Sequence, residues 1–163
     1  GLMSFLSIAK QFDMPRVMSV QNPYSLLNRS YEVGMAEISI RENCGLLAYS
    51  PLGFGMLTGK YDNGATPDNA RLTIFGDMFT RYTKQKGRVA SEKFNSLARE
   101  FGFSPTQMAL SFVNSRKFVT SNIIGATDLV QLEENIKSID INLSEKLLEE
   151  IEKIHDQNPY PCP

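Results

Sequence analysis

The sequence predicts an α/β fold with a parallel sheet, and three observations carry that expectation. Short apolar runs bounded by turn residues recur at residues 17–21, Gly45–Tyr49 and 119–124. The second run, GLLAY, has no polar alternation, the mark of a strand buried on both faces between helices. Segments with helical spacing separate the runs, giving the order helix, strand, helix, strand, two helices, strand, two helices. Parallel strands joined by right-handed crossovers produce that alternation.

Each element has its own justification. Leu2, Phe5, Leu6 and Ala9 stand at helical spacing, and Asp13, Met14 and Pro15 stop that helix near Phe12. The first strand follows, closed by Asn22, Pro23 and Tyr24. Ser30 is placed to cap a helix reaching about Asn43, with Val33, Ala36, Ile38 and Ile40 as its loose apolar positions. The second strand ends at Ser50 and Pro51, and Gly53, Gly55 and Gly59 let the backbone turn sharply and approach a ligand. A loop at the carboxyl end of a parallel strand is where α/β folds place ligands, and Lys60 is a ready counter-charge for a phosphate. Residues 59–87 are expected to form a long polar loop, in which Lys60, Arg71, Arg81, Lys84 and Lys86 outnumber Asp62, Asp68 and Asp77.

Regularity returns with Phe94, Leu97, Ala98 and Phe101 at i, i+3, i+4 and i+7, a helix that Gly102 ends. Ser104, Pro105 and Gln107 predict a capping box for the next helix, whose buried face is Met108, Ala109 and Phe112. Gly125 follows the third strand. Asp128 and Ser144 cap the last two helices, the second of which carries a stripe of Leu147, Leu148, Ile151 and Ile154.

Composition narrows the function. The chain has 163 residues, 42% of them hydrophobic, which is one ordinary domain with enough apolar side chains for a core. A net charge of -1 argues against a general binder of nucleic acid or membrane surfaces. Cys44 and Cys162 form no metal-spaced or redox pair, and neither a signal peptide nor a membrane-spanning run is evident, so a reducing, cytoplasmic setting is expected. The chain opens on Gly1 inside a helix, which suggests sequence upstream. Residues 133–156 hold eight acids against three lysines, the composition of a solvated outer helix face.

Four blocks, QNPYSLLNR, AYSPLGFGMLTGKY, IIGATDLVQLEENI and HDQNPYPCP, together resemble the aldo-keto reductases, in the branch of bacterial Tas-like reductases and potassium-channel beta subunits. The blocks stand in that family's order and spacing across essentially the whole chain. The resemblance implies an NADP(H)-dependent oxidoreductase reducing aldehydes and ketones on a (β/α)8 barrel. A barrel of eight units needs about 250 residues, so residues 1–163 would be its carboxy-terminal portion, about strands six to eight with their helices.

By that carry-over Gln21 resembles the side chain that holds the nicotinamide carboxamide, and Tyr49 the ring that stacks on the nicotinamide face. Ser50, Leu52, Phe54 and Gly55 resemble the loop around the pyrophosphate, with Lys60 as counter-charge and Arg71 approaching the adenosine 2'-phosphate or the adenine. Gly125, Thr127, Gln131, Glu134 and Asn135 resemble the set enclosing the adenosine half. The family's catalytic aspartate, tyrosine, lysine and histidine belong to the first four strands, and His155, on the last helix, does not match that histidine. The implied portion therefore binds cofactor without the proton donor and would not reduce a carbonyl alone.

Six of these positions also have a structural reading. Gln21 can satisfy a strand-end backbone, Tyr49 can pack, Gln131 can complete a cap, Glu134 can face solvent, and Lys60 and Arg71 can belong to a solvated loop. Cys44 is expected as a small buried hydrophobe, Cys162 as a tail thiol without function, and Tyr24 and Tyr61 as packing residues. A non-catalytic nucleotide-binding or protein-interaction module is the alternative function. Under either, the outer strands lack partners, and self-association through bare sheet edges is expected.

Overall fold

A computed structural model describes the whole of residues 1–163. Helix α1 (Leu2–Gln11) leads to strand β1 (Ser19–Pro23), helix α2 (Met35–Arg41) and strand β2 (Gly45–Tyr49). Short helices α3 (Arg71–Phe75) and α4 (Thr80–Thr83) precede α5 (Gln85–Glu100) and α6 (Pro105–Asn114). Strand β3 (Val119–Asn122) and helices α7 (Leu129–Lys137) and α8 (Glu145–Gln157) complete the chain.

The sheet is parallel throughout, in the order β1-β2-β3, so each strand lies beside its neighbour in sequence. Parallel pairing brings the carboxyl ends of all three strands to one end of the sheet. The register shifts between Leu46 and Leu47 on β2, where β3 carries an extra residue, Thr120. This bulge explains Gly45: any Cβ there would overlap the Thr120 hydroxyl.

Only one face of the sheet is covered. Leu46 and Ala48 are fully buried against the helices, whereas Leu47 is half-buried and Tyr49 exposed. Register places Gln21 beside Leu47 and Ser121 on its other flank, and both are exposed. Contrary to the expectation of burial on both faces, GLLAY lacks polar alternation yet its second face meets no helix.

The covered face packs into one core that includes Tyr24, Leu46, Phe94, Phe112, Leu147 and Ile151. Asn95 and the apolar Phe94, Leu97 and Ala98 are all buried on α5. The capping box of α6 forms as its sequence requires, with the Gln107 amide donating to Ser104 Oγ at 3.1 Å and the Ser104 amide donating to Gln107 Oε1 at 3.2 Å. Such a cap contributes about 1 kcal/mol. Asp128 and Ser144 cap α7 and α8, each accepting a backbone N–H three residues on.

Several expected elements differ in detail. The helix expected from Ser30 is a single turn followed by a break at Gly34 (φ 91°), after which α2 begins. The Ser30 hydroxyl is drawn back to Asn28 Oδ1 at 2.7 Å instead of capping. Strand β1 starts two residues late, leaving Met18 exposed, and β3 ends at Asn122, although the Ile123 amide still donates to Ala48 O at 2.8 Å. Residues 59–87 contain α3, α4, two further single turns and the start of α5, fastened by buried Leu72 and Tyr82. Cys162 is no loose tail thiol. It is fully buried, its amide donates to Leu27 O at 3.1 Å, and burial pushes its thiol up to about 11. Cys44, Tyr24 and Tyr61 are buried, as expected.

Apolar side chains remain exposed at both flanks of the sheet. Phe5 and Phe12 in and after α1 are 66% and 63% exposed, and Leu129 and Val130 on α7 are 82% and 77% exposed. No helix is long and apolar enough to cross a membrane.

Candidate functional site

The segment after β2 is the most contorted stretch of the chain. Ser50 (φ 53°), Gly53 (φ 54°), Phe54 (φ 57°), Gly55 (φ 96°) and Gly59 (φ 79°) all adopt the left-handed region. Two of these are not glycine, and Phe54 in particular holds a conformation that costs roughly 1–3 kcal/mol and persists only where its surroundings enforce it. They do. Phe54 stacks on Tyr82 (5.0 Å between centroids) and on Phe79 (4.1 Å), and the Arg71 guanidinium lies 5.2 Å from its ring centroid. Burial raises the pKa of the Tyr82 phenol, opposed by Ser50 and then Arg81. Sequence patterning singled out neither Phe79 nor Tyr82; lone aromatics inside a polar stretch were the available signal.

Lys60 is exposed and folds back over Gly55, with its Cε 3.4 Å from where a Gly55 Cβ would lie. Neither Lys60 nor Arg71 has an acidic partner within ion-pair distance. Two uncompensated cations beside a strained, glycine-rich turn suit a ligand carrying separated phosphates.

Beyond β3, the segment from Gly125 to Asn135 is tied together by its own side chains. Asp128 Oδ1 accepts from the Gln131 amide at 2.9 Å, and Gln131 Nε2 donates to Asp128 Oδ2 at 2.6 Å. Gln131 Oε1 accepts from the Thr127 amide and hydroxyl, both at 3.2 Å. Asn135 is buried and donates to Gly125 O at 3.3 Å, bracing the turn, while Glu134 accepts from the Ser104 hydroxyl and links α7 to the start of α6. The amides of Leu129 and Val130 have no backbone acceptor and point their helix start toward solvent.

The strands thus bring Gln21, Tyr49, the turn at Ser50, Leu52, Phe54 and Gly55, and the segment from Gly125 to one sheet. Gln21 and Tyr49 lie on its open face, and the two segments leave the carboxyl ends of neighbouring strands.

The aldo/keto reductase family profile matches residues 6–156. This chain belongs to the aldo/keto reductase family. Protein tas of Escherichia coli (strain K12) is 51% identical over 163 residues, all of this chain and 47% of that protein, and Protein tas of Shigella flexneri matches equally. An aldo-keto reductase of Babesia bovis is 34% identical over 162 residues, 95% of this chain and 57% of its own. The chain therefore spans about half the length of these relatives. Membership in the aldo/keto reductase family accounts for the consecutive parallel order of the strands.

Three tyrosines are tied into the core by their hydroxyls. Burial first, and then Glu32, raises the pKa of Tyr24, whose hydroxyl bonds to Glu32; burial raises Tyr31, beside Ser39. Tyr61, also buried, accepts the Leu72 amide at 3.0 Å. His155 lies on α8 against Tyr160, with its pKa lowered by burial and by Arg29.

Proposed function

We propose that this chain supplies the NADP(H)-binding part of an aldo-keto reductase that reduces aldehydes or ketones to alcohols, as about strands six to eight of its barrel. The observation that carries this reading is the turn after β2, where left-handed Ser50, Phe54 and Gly55 lie beside two cations without acidic partners, Lys60 and Arg71.

In this reading the cofactor supplies the hydride, and the residues of this chain bind and orient it. Gln21 offers an amide to the carboxamide, and Tyr49 offers an exposed ring as a stacking surface on the open sheet face. Ser50, Leu52, Phe54 and Gly55 shape the pyrophosphate turn, and Lys60 neutralises it. Arg71, held over Phe54, would meet a 2'-phosphate in this reading, which favours NADPH over NADH. Gly125, Thr127, Gln131, Glu134 and Asn135 border the adenosine half; Thr127 becomes a phosphate donor when Gln131 releases it. The proton donor comes from outside these residues, so the chain alone binds cofactor without turning over a carbonyl.

The exposed Phe5, Phe12, Leu129 and Val130, together with the outer edges of β1 and β3, are the surfaces the rest of a barrel would cover. Without that cover the chain self-associates, and sedimentation of a dilute stable monomer would contradict this. Unpaired Cys44 and Cys162 suit a reducing, cytoplasmic setting.

Calorimetric titration of the chain with NADPH and NADH tests the cofactor reading. Saturable NADPH binding, weakened about tenfold by Lys60→Ala and by Arg71→Ala, supports it, since one charge-assisted phosphate contact is commonly of that order. Equal affinity for NADH, or indifference to both substitutions, would count against it.

A further inference from the structure

The turn carrying Gly55 and Lys60 is held from behind by polar side chains of α5, at positions the family resemblance leaves unassigned. Asn95 is 1% exposed, surrounded in sequence by apolar core residues, and its Nδ2 donates twice: to Met56 O at 2.9 Å and to Asp62 Oδ1 at 2.7 Å. Arg99, one helical turn on, donates from Nη2 to the other Asp62 oxygen at 2.7 Å. One turn earlier, Glu92 Oε1 accepts the Asn63 amide at 3.3 Å. Residues 92, 95 and 99 share one face of the helix, so a single rigid element grips the turn at three points.

The grip reaches the loop residues directly. Gly59 lies so close beneath Arg99 that any Cβ would overlap the guanidinium. Inside the turn, Thr58 Oγ1 donates to Gly55 O at 2.8 Å and accepts the Lys60 amide at 3.3 Å. The two ends of this inner lock are the residues assigned to the pyrophosphate. Asn95 Oδ1 has no hydrogen-bond partner. Burying an amide with one acceptor unmet is costly, and an apolar side chain would fill the core better, so the two bonds from Nδ2 are what Asn95 contributes.

We infer that Asn95, Asp62 and Arg99 are positioning residues of the phosphate loop, fixing the backbone from Met56 to Asp62 so that Lys60 is presented over Gly55. The inference rests on the cofactor reading for what Lys60 meets, and on geometry alone for the fixing of the loop.

The test combines amide exchange with a double-mutant cycle in NADPH affinity on the 163-residue chain. Asn95→Leu removes the central donor; Arg99→Gln, on the exposed side, is the variant that keeps the fold if the first does not. Either is expected to speed exchange at residues 55–62 at least about tenfold while leaving α6 unchanged, as selective loosening of one segment requires. Lys60→Ala is expected to weaken NADPH about tenfold in the parent and less than about twofold in either variant, because a misplaced lysine has little left to lose. A merely structural role would give additive losses. Equal Lys60→Ala effects in both backgrounds, or unchanged exchange at 55–62, overturns the inference. Faster loop exchange in a chain that does not bind NADPH would support the clamp and reject the cofactor reading.

Discussion

Replacing Arg29 with methionine should be the most damaging single change at a residue outside the apolar core. Arg29 closes the turn after β1 and is only 6% exposed. Its Nε and Nη2 meet the two Glu32 oxygens at 2.9 and 2.7 Å, and Nη1 meets Glu152 on α8 at 2.8 Å. The guanidinium also lies 5.2 Å from the Phe112 ring centroid. Breaking a buried pair costs about 3–5 kcal/mol, because the remaining charge loses its compensation. The Glu32 side chain keeps 27% exposure, so the lower end applies, and we expect a loss of about 3 kcal/mol. Glu152 is 45% exposed, and Glu152→Gln should cost less than about 1 kcal/mol. Adding Glu32→Gln to Arg29→Met should restore part of the loss by removing the orphaned charge. Urea unfolding followed by circular dichroism at neutral pH measures all four proteins. An Arg29→Met cost below about 1 kcal/mol, or one matched by Glu152→Gln, would refute the reasoning.

Two further outcomes follow from the same core. Acid should destabilise the chain in two stages. Burial, then Arg29, lowers the His155 pKa, so its contribution is present above the usual histidine range and falls as pH drops through it. Burial would raise Glu32, but the Arg29 and Tyr24 hydrogen bonds reverse this and hold it below the usual carboxylate range, so its contribution is lost at lower pH still. Urea midpoints from pH 8 to pH 3 check both stages, and a midpoint that rises on acidification would contradict the assignment. Gly87→Ala should destabilise by roughly 1–3 kcal/mol despite the better helix propensity of alanine, since its Cβ would lie 2.8 Å from Cys162 Sγ and 3.2 Å from Tyr82 O. Cys162→Ala in the same chain should recover part of that loss; strict additivity would show that the tail does not press on α5.

The elements with local chemical signals were legible in the sequence. Strand β2 has its expected bounds, the Ser104 and Gln107 capping box forms, and Asp128 and Ser144 cap where they should. Signals that depend on distant contacts were not. The open face of β2 cannot be told from a buried one by GLLAY itself, because what covers a strand is decided by other elements. Ser30 looks like a cap until Asn28 takes its hydroxyl, and Cys162 looks like a tail residue until Gly87 leaves room for its sulfur. Within the candidate site, glycines and cations marked the turn after β2. The supports were hidden: Asn95 reads as an interruption of an apolar stripe, and Phe79 and Tyr82 as stray aromatics, until the fold sets them against Asp62 and Phe54.

The central claim is that one sheet end and two segments form a cofactor site, and backbone amide chemical shifts during titration with NADP+ test it most directly. The account predicts saturable shifts at Gln21, Tyr49, residues 50–55, Lys60, Arg71 and residues 125–135, with α8 and the outer flank of α1 unmoved. Shifts confined to other surfaces, or none in a folded sample at millimolar cofactor, would contradict it.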